Sequence, residues 1–469
     1  MAHFGFVLLA AIVVLILLIV KFKVHPVLAI FVAGMGAGIA YGYGFVKTAT
    51  VFTGGFGSTL GGIGATIIFG SIIAVSIQDS GAVKSIVNFF IKLFRGKVLE
   101  LATGFTSFVM SIPIFGDVTQ VLMSPIAAII AKRKKASMST MATWTTFAAS
   151  LTHSMIPPTP GILAVTILLG ADVGLMIFWS LIVSIIAYLG TYILMRKWVA
   201  KEWIDPRPDY IAGVEAAKTD DYQALLMEEP GLPSVGVSVL PILLPVIFIA
   251  GASFAGLYLP EGNPIRVFLA AVGERNIAMF IGAALAIALG FSMKDNIIKH
   301  FKINTGEDNN NITDIILNKW VVRALMIALL PLLITAMGGG FSSIIRAYPG
   351  ISKLGEIVVQ YQFPTILVPW IIAAVMMIAV GSRTTAGMTA GAIVLPMAGA
   401  LGFNPLQLAL IIGSGTLVGT HVSDSGFWVG TQLYNLNVKQ GLKYLTLIQA
   451  IAGVISLIAI FIFIKIGII

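Results

Sequence analysis

Two stretches of the sequence place a histidine and other polar residues at the end of an apolar run. Residues 420–428 (THVSDSGFW) contain His421 and Asp424 between two hydrophobic segments, and residues 152–161 (THSMIPPTPG) contain His153 at a corresponding point. Histidine titrates near neutral pH, and a carboxylate removed from water takes up a proton more readily. These side chains can therefore bind a hydroxylated solute or carry a proton.

A third stretch places Arg383 in the middle of an apolar segment, at residues 364–403. The neighbouring hydroxyl side chains are those of Ser382, Thr384 and Thr385. A guanidinium at membrane depth costs several kcal/mol unless it is paired or hydrated. One interpretation is that Arg383 binds a substrate carboxylate in a bidentate fork, while the hydroxyls bind substrate hydroxyls or an ion. The alternatives are a structural ion pair with Asp424 or Asp117, or an Arg that lies nearer the membrane surface and extends its guanidinium to it.

Asp117 and Asp424 occupy equivalent breaks in two apolar segments. Either carboxylate could take up a proton that travels with a substrate. Each could also cap a helix N-terminus, and capping does not exclude the carrier role. The chain has no Cys, only five His and no HExxH pattern, so we expect neither a metal site nor a cofactor.

The composition is that of a polytopic membrane protein. Hydrophobic residues make up 58% of the chain, charged residues 10%, and the mean hydropathy is +0.99, whereas about a quarter of the residues of a soluble domain are charged. The net charge of +9 comes from Lys and Arg that cluster between apolar runs. This pattern marks cytoplasmic loops and does not indicate nucleic-acid binding.

Apolar runs and basic clusters divide the chain into two halves. The first half, 1–197, is predicted to contain three spans, a re-entrant helical hairpin at 98–131, a broken span at 138–170 and a closing span. The hairpin is inferred because basic residues flank it on both sides, which places both of its ends in the cytoplasm. The polar segment 198–235 is predicted to be a cytoplasmic linker.

The second half, 236–469, repeats this order of elements. It is predicted to contain three spans, a hairpin at 364–403, a broken span at 405–436 and a closing span. Because each half contains an odd number of complete crossings, the second half is predicted to be upside down relative to the first. Two inverted repeats with interrupted helices imply a transporter with alternating access to a site near the membrane midplane.

Four motifs resemble those of the gluconate permease family, also called gluconate:proton symporters. They are IPIFGDVTQVLMSPIAAIIAKR (112–133), THSMIPPTPG (152–161), GSRTTAGMTAGAIVLP (381–396) and THVSDSGFW (420–428). In outline the resemblance covers nearly the whole chain. It implies import of gluconate and related small hydroxylated or amino carboxylates with protons across the bacterial cytoplasmic membrane. It also implies a fold of inverted repeats and a homodimer.

The resemblance implies contacts between the substrate and residues of both halves. The implied residues are Asp117, His153, Pro157, Thr159, Ser382, Thr384, Thr385, His421 and Ser425. The chain departs from the family pattern at Thr159, where His is usual, and at Arg383, where a small residue is usual. The class of substrate is therefore predicted, whereas the particular acid is not.

Other functions are weighed against this prediction. Exchange of organic anions and sodium-coupled carboxylate transport use the same kind of fold. An intramembrane hydrolase with Ser, His and Asp would not need two corresponding broken spans, so we expect no enzyme activity. An anion channel selected by Arg383 would give non-saturating flux that is independent of a gradient.

Overall fold

The computed structural model describes residues 24–112, 116–211, 222–227, 229–347, 364–421 and 424–469, together with 6–7, 10–11, 13–15 and 17–22. Within these ranges all regular elements are helices. The prediction of an all-α polytopic membrane protein is therefore confirmed. The predicted first span lies only partly within the described residues, and residues 113–115, 212–221 and 228 lie outside them.

The first half contains the elements that follow. A π-helical turn, Leu17–Lys21, precedes α1 (Pro26–Ala40), α2 (Phe45–Ser80), α3 (Ala82–Leu93), α4 (Leu99–Met110), α5 (Gly116–Lys134), α6 (Met138–Met155), α7 (Pro160–Leu169) and α8 (Val173–Val199). Helices α4 and α5 lie where the first hairpin is predicted. Helices α6 and α7 are the two parts of the predicted broken span.

Two short 3₁₀ segments, Pro208–Tyr210 and Tyr222–Leu225, lie in the linker. The second half contains α9 (Val235–Tyr258), α10 (Pro264–Val272), α11 (Arg275–Ser292), α12 (Lys294–Thr305), α13 (Trp320–Arg346), α14 (Leu367–Val380), α15 (Arg383–Val394), α16 (Pro405–Thr416), α17 (Ser425–Leu433) and α18 (Leu447–Lys465). A π-helical turn precedes α13 and another precedes α18.

Six helices in the described part of the chain are long and apolar enough to cross a membrane. They are Phe45–Ser80, Val173–Val199, Val235–Tyr258, Arg275–Ser292, Ile312–Ile345 and Val438–Lys465. The helices of the hairpins and broken spans are shorter. Such half-length helices are tolerated at membrane depth where their ends are buried in protein or line a cavity.

Local sequence signals set most of these helix ends. Proline occupies the first position of α1, α7, α10 and α16, where its missing N–H costs no hydrogen bond. Asn404 caps α16 in a reciprocal capping box with Gln407. Gly381 adopts φ +67° at the end of α14, a conformation that favours glycine and lets the chain turn into α15.

The glycine-rich stretch 54–64 lies inside the 36-residue helix α2. A Cβ at Gly55 would lie 2.6 Å from the Gly339 carbonyl oxygen, so glycine here lets α2 and α13 pack closely. The amphipathic helix α3 and the polar helix α12 are further elements that the sequence patterns did not indicate.

Each hairpin packs against the broken span of the other half. The second helix of the first hairpin, α5, contacts α17 of the second half, and α15 of the second hairpin contacts α7 of the first half. Two repeats related by a pseudo-two-fold axis would give this reciprocal pairing. The opposite orientation of the halves in the membrane stays a prediction, as do the domain boundaries.

Candidate functional site

The tip of the second hairpin is formed by Gly381 and Ser382. Ser382 caps α15, because its Oγ accepts a hydrogen bond from the Thr385 N–H at 3.4 Å, and Thr385 Oγ1 also donates to it at 3.2 Å. Arg383 is therefore the first residue of α15. Thr384 and Thr385 follow it and are 7% and 0% exposed.

The guanidinium of Arg383 is bound from three sides by residues of the second half. Nη1 lies 3.0 Å from Asp424 Oδ2, and Nη2 donates to Thr420 Oγ1 at 3.0 Å and to Gln449 Oε1 at 2.7 Å. The side chains of Arg383 and Asp424 are 9% and 5% exposed. The structural ion pair is thus present. Arg383 Nε is buried and has no hydrogen-bond partner in the described part of the chain.

Asp424 also caps a helix. Its Oδ1 accepts a hydrogen bond from the Gly426 N–H at 3.0 Å at the start of α17. One carboxylate therefore closes the N-terminus of α17 and balances the charge of Arg383. A carboxylate accepts through both oxygens, so the two roles are compatible.

The break in the first half is closed by Thr159. Its Oγ1 donates to the carbonyl oxygens of His153 at 3.1 Å and Ile156 at 2.8 Å, across the end of α6. Pro157 and Pro158, joined by a cis peptide bond, form the turn between these residues. Pro157 and Thr159 are buried. Thr159 therefore stabilises the break, and its hydroxyl group donates to backbone carbonyl oxygens.

The break in the first half and the tip of the second hairpin meet around a small cavity. His153 and Arg383 both line it, with Ser154 and Gly161 beside them. A Cβ at Gly161 would lie 2.8 Å from the Cα of Thr384, so the N-termini of α7 and α15 are in close contact. The volume of the cavity is about 10 Å³, which is roughly what one water molecule needs.

Some predicted site residues lie elsewhere or outside the described residues. His421 is half-buried in the break between α16 and α17, and its carbonyl oxygen accepts the Asp424 N–H at 2.9 Å, but it does not line the cavity. Asp117 is the second residue of α5 and Ser425 the first residue of α17, but their side chains lie outside what the structure describes. The first hairpin still reaches the site, because a Cβ at Gly116 would lie 3.7 Å from His153 Cβ.

Sequence reasoning missed two residues that the structure brings to Arg383. Thr420 immediately precedes His421 in the motif 420–428, and Gln449 lies in the closing span. Gln449 is 1% exposed in a largely apolar helix. A lone amide in a membrane span is a signal of a buried polar partner, and it could have been recognised. Among the described residues no group of three or more His, Asp or Glu is arranged to hold a metal ion.

Half-length helices that meet at a buried ion pair, within a bundle of membrane-length helices, are typical of a membrane transporter. The model of the GntP family permeases matches residues 5–466. The chain belongs to this family.

Named relatives extend over almost the whole chain. A gluconate permease of Pseudomonas aeruginosa is 30% identical over 98% of this chain and 97% of its own length. A high-affinity gluconate transporter of Escherichia coli is 28% identical over 95% and 96%. The D-serine transporter DsdX of Escherichia coli is 29% identical over 96% of each chain.

A solved structure shares the fold. The YdaH transporter of Alcanivorax borkumensis aligns with a TM-score of 0.55 over 89% of this chain and 88% of its own, at 13% identity. This likeness concerns the arrangement of the helices alone.

Proposed function

We propose that this protein imports a small hydroxylated organic acid of the gluconate type, together with protons, across the bacterial cytoplasmic membrane. Transport occurs by alternating access to the site at Arg383. The observation that carries the proposal is the buried ion pair between Arg383 and Asp424, with 3.0 Å between Nη1 and Oδ2. The names of the relatives, which include two gluconate transporters, support the choice of substrate class.

The electrostatics around the pair suit an anion. Helices α7, α15 and α17 all begin beside it, and a helix N-terminus carries a partial positive charge of roughly half a unit. Interrupted helices in transporters direct such ends at anionic groups of the substrate. The site therefore has more positive potential than the single carboxylate of Asp424 balances.

The ion pair also gives a route to proton coupling. Protonation of Asp424 removes the counter-charge of Arg383, and a substrate carboxylate can then take its place at the guanidinium. Substrate binding and proton uptake thereby favour each other, which is the requirement for symport. Asp424 Oδ1 can keep its hydrogen bond to the Gly426 N–H in the protonated state, so α17 stays capped.

Other residues are proposed to bind the rest of the substrate. They are Ser382, Thr384, Thr385, His153, Pro157, Thr159, His421 and Ser425, with Asp117 as a second candidate for proton coupling. Because the cavity holds about 10 Å³, a six-carbon acid cannot enter without separation of α7 from α15. The structure therefore corresponds to a closed state in the proposed cycle.

The assembly and orientation of the chain are also proposals. The chain is proposed to form a homodimer, as the family resemblance implies, and cross-linking in membranes tests this. The linker is proposed to lie in the cytoplasm, because Lys and Arg gather at the ends of the neighbouring helices, with Arg196 and Lys197 in the last turn of α8.

The deciding experiment is uptake of labelled gluconate into proteoliposomes under an inward proton gradient. Competition by other hydroxy acids and by D-serine ranks the substrates, and a sodium gradient replaces the proton gradient in a parallel assay. We expect saturable accumulation that collapses when the proton gradient is dissipated. Arg383→Lys should lose most of this uptake, because one ammonium cannot reproduce the planar fork that contacts Asp424, Thr420 and Gln449.

Accumulation driven by a sodium gradient alone would show that sodium, and not the proton, is the coupling ion. Uptake that needs an internal anion and no gradient would identify an exchanger. If no acid is transported under any of these conditions, the proposed function is wrong and the family membership describes only the fold.

A further inference from the structure

A second cavity lies beside α7 and α15, on a different face of these helices from the Arg383 site. Its volume is about 280 Å³, and it is lined by residues of α2, α7, α13 and α15. The residues that matter here are Gly54, Ser58, Thr59, Gly62, Ser343 and Met388. We call it the α2 cavity. Small-molecule sites begin at about 300 Å³, so its size suits a small solute.

The described lining of the α2 cavity is polar and uncharged. Ser58, Thr59 and Ser343 line it, and none of the described lining residues is ionisable. Hydroxyl groups can both donate and accept hydrogen bonds, which suits the hydroxyl groups of a sugar acid. The described lining residues offer a carboxylate no cation, which favours passage of a hydroxylated molecule over tight binding.

The glycine residues of α2 keep this space open. A Cβ at Gly54 or Gly62 would meet no atom within 4 Å, unlike a Cβ at Gly55, which would meet α13. At Gly54 and Gly62 a side chain would extend into the space that these residues line.

Only a thin apolar layer separates the α2 cavity from the Arg383 site. Val165 of α7 lies 3.3 Å from the Cβ position of Gly387 on α15, and Leu168 lies 3.2 Å from that of Gly391. Val165 and Gly387 also line the small cavity beside Arg383. A small separation of α7 from α15 would therefore connect the two cavities.

We propose that the α2 cavity is an entry chamber that receives the hydroxylated chain of the substrate before its carboxylate reaches Arg383. This rests on the proposed function. The substrate class is a small polyhydroxylated carboxylate. The contact between α7 and α15 is the gate between chamber and site.

Because the chain has no Cys, a single introduced cysteine is the only thiol that can react. Ser58→Cys and Gly62→Cys place a thiol in the chamber, and Gly61→Cys places one on the neighbouring residue, which is exposed but does not line it. Each variant in proteoliposomes is treated with a positively charged methanethiosulfonate reagent. The rate of modification is measured with and without the acid that the unmodified protein transports.

The acid should slow the modification of Ser58→Cys and Gly62→Cys by about tenfold and leave Gly61→Cys unchanged. As a steric test, Gly62→Leu should reduce uptake by about tenfold, whereas Gly61→Leu, with the same change in helix propensity, should stay within about twofold.

Equal protection at all three cysteines, or no protection, overturns the chamber. Reaction of Ser58→Cys and Gly62→Cys only with an uncharged, lipid-soluble maleimide also overturns it, because the cavity is then filled by lipid. If the unmodified protein transports no acid, the proposed function fails and the chamber fails with it.

Discussion

The Asp424 carboxylate has two structural roles, and only one of them needs its charge. Its Oδ1 caps α17 through the Gly426 N–H, and its Oδ2 pairs with Arg383. Asparagine caps a helix as well as aspartate does, but it carries no charge and takes up no proton. Asp424→Asn therefore keeps the cap and removes the ion pair, which separates the two roles experimentally.

We expect Asp424→Asn to retain exchange of labelled for unlabelled acid in proteoliposomes and to lose accumulation driven by a proton gradient. The buried guanidinium also loses its counter-charge, so the melting temperature in detergent should fall, since breaking such pairs costs about 3–5 kcal/mol. A transported acid should raise the melting temperature of Asp424→Asn by more than it raises that of the unmodified protein. The reason is that the carboxylate of the acid takes the place of the Asp424 carboxylate at Arg383. Unchanged proton-driven accumulation would contradict this and direct attention to Asp117 or the histidines.

At the scale of helices, the decisive feature is the contact between the N-termini of α7 and α15. A Cβ at Gly161 would lie 2.8 Å from the Cα of Thr384, and backbone atoms cannot rotate out of the way as a flexible side chain can. Any larger residue at Gly161 must therefore push apart the two helices that enclose the site.

We predict that Gly161→Val reduces uptake by about tenfold or more while the protein still inserts into the membrane, because a shift of about 1 Å at a binding site has effects of this size. Gly57→Val is the matched control. A Cβ at Gly57 would meet nothing within 4 Å, and Gly57 lies outside both cavities. Uptake and protein level are measured for both variants. Similar uptake by the two variants would show that the contact at Gly161 has no part in transport.

Much at this scale could be predicted from the sequence, because helix breaks depend on local chemistry. Prolines, glycines and polar residues interrupt apolar runs near Pro157 and Gly381, and helices end at both places. The partners of Arg383 could not be predicted in full. The sequence suggests Asp424 as one candidate, but Gln449 is 66 residues away along the chain, and α16, which contacts both α15 and α18, links the helices of Arg383 and Gln449.

The glycine-rich stretch of α2 shows a different limit. Glycine has two opposite uses in a helix, namely close packing and open space, and the sequence pattern does not separate them. Gly55 packs against α13, whereas Gly54 and Gly62 line a cavity. Which use applies depends on which face of α2 meets α13, and that is a property of the whole bundle.

At the scale of the whole molecule, Glu229 of the linker joins the two halves. It pairs with Lys84 of the first half and Lys299 of the second, and His300 Nε2 lies 3.2 Å from its Oε1. Burial raises the pKa of Glu229, but the hydrogen bonds from Lys299 and Lys84 outweigh this and lower the pKa to about 2. Burial lowers the pKa of His300, so its ring is neutral at pH 7 and the two lysines supply the positive charge.

We expect Glu229→Gln to lower the melting temperature in detergent by several degrees at neutral pH. Because the folded-state pKa lies below the ordinary value of 4.5, the stabilisation is fully present above that value and is lost as the pH falls toward about 2. The difference between variant and unmodified protein should therefore shrink below about pH 4.5. Glu307→Gln, which removes an exposed pair with Lys319, should have little effect at any pH. A difference that stays constant down to about pH 3 would show that Glu229 contributes through packing and not through charge.

The opposite orientation of the two halves has a direct test, again because the chain contains no Cys. Lys132 lies near the end of the first hairpin and Gly399 near the end of the second, and both are exposed. If the repeats are inverted, these ends lie on opposite sides of the membrane, since basic residues hold the first one in the cytoplasm. A membrane-impermeant maleimide should label Gly399→Cys in intact cells and Lys132→Cys only after the cells are disrupted.

Lys201→Cys in the linker should behave like Lys132→Cys, and Glu261→Cys, between α9 and α10, should behave like Gly399→Cys. Labelling of Lys132→Cys and Gly399→Cys from the same side would rule out inverted repeats, and with them alternating access based on a two-fold axis in the membrane plane.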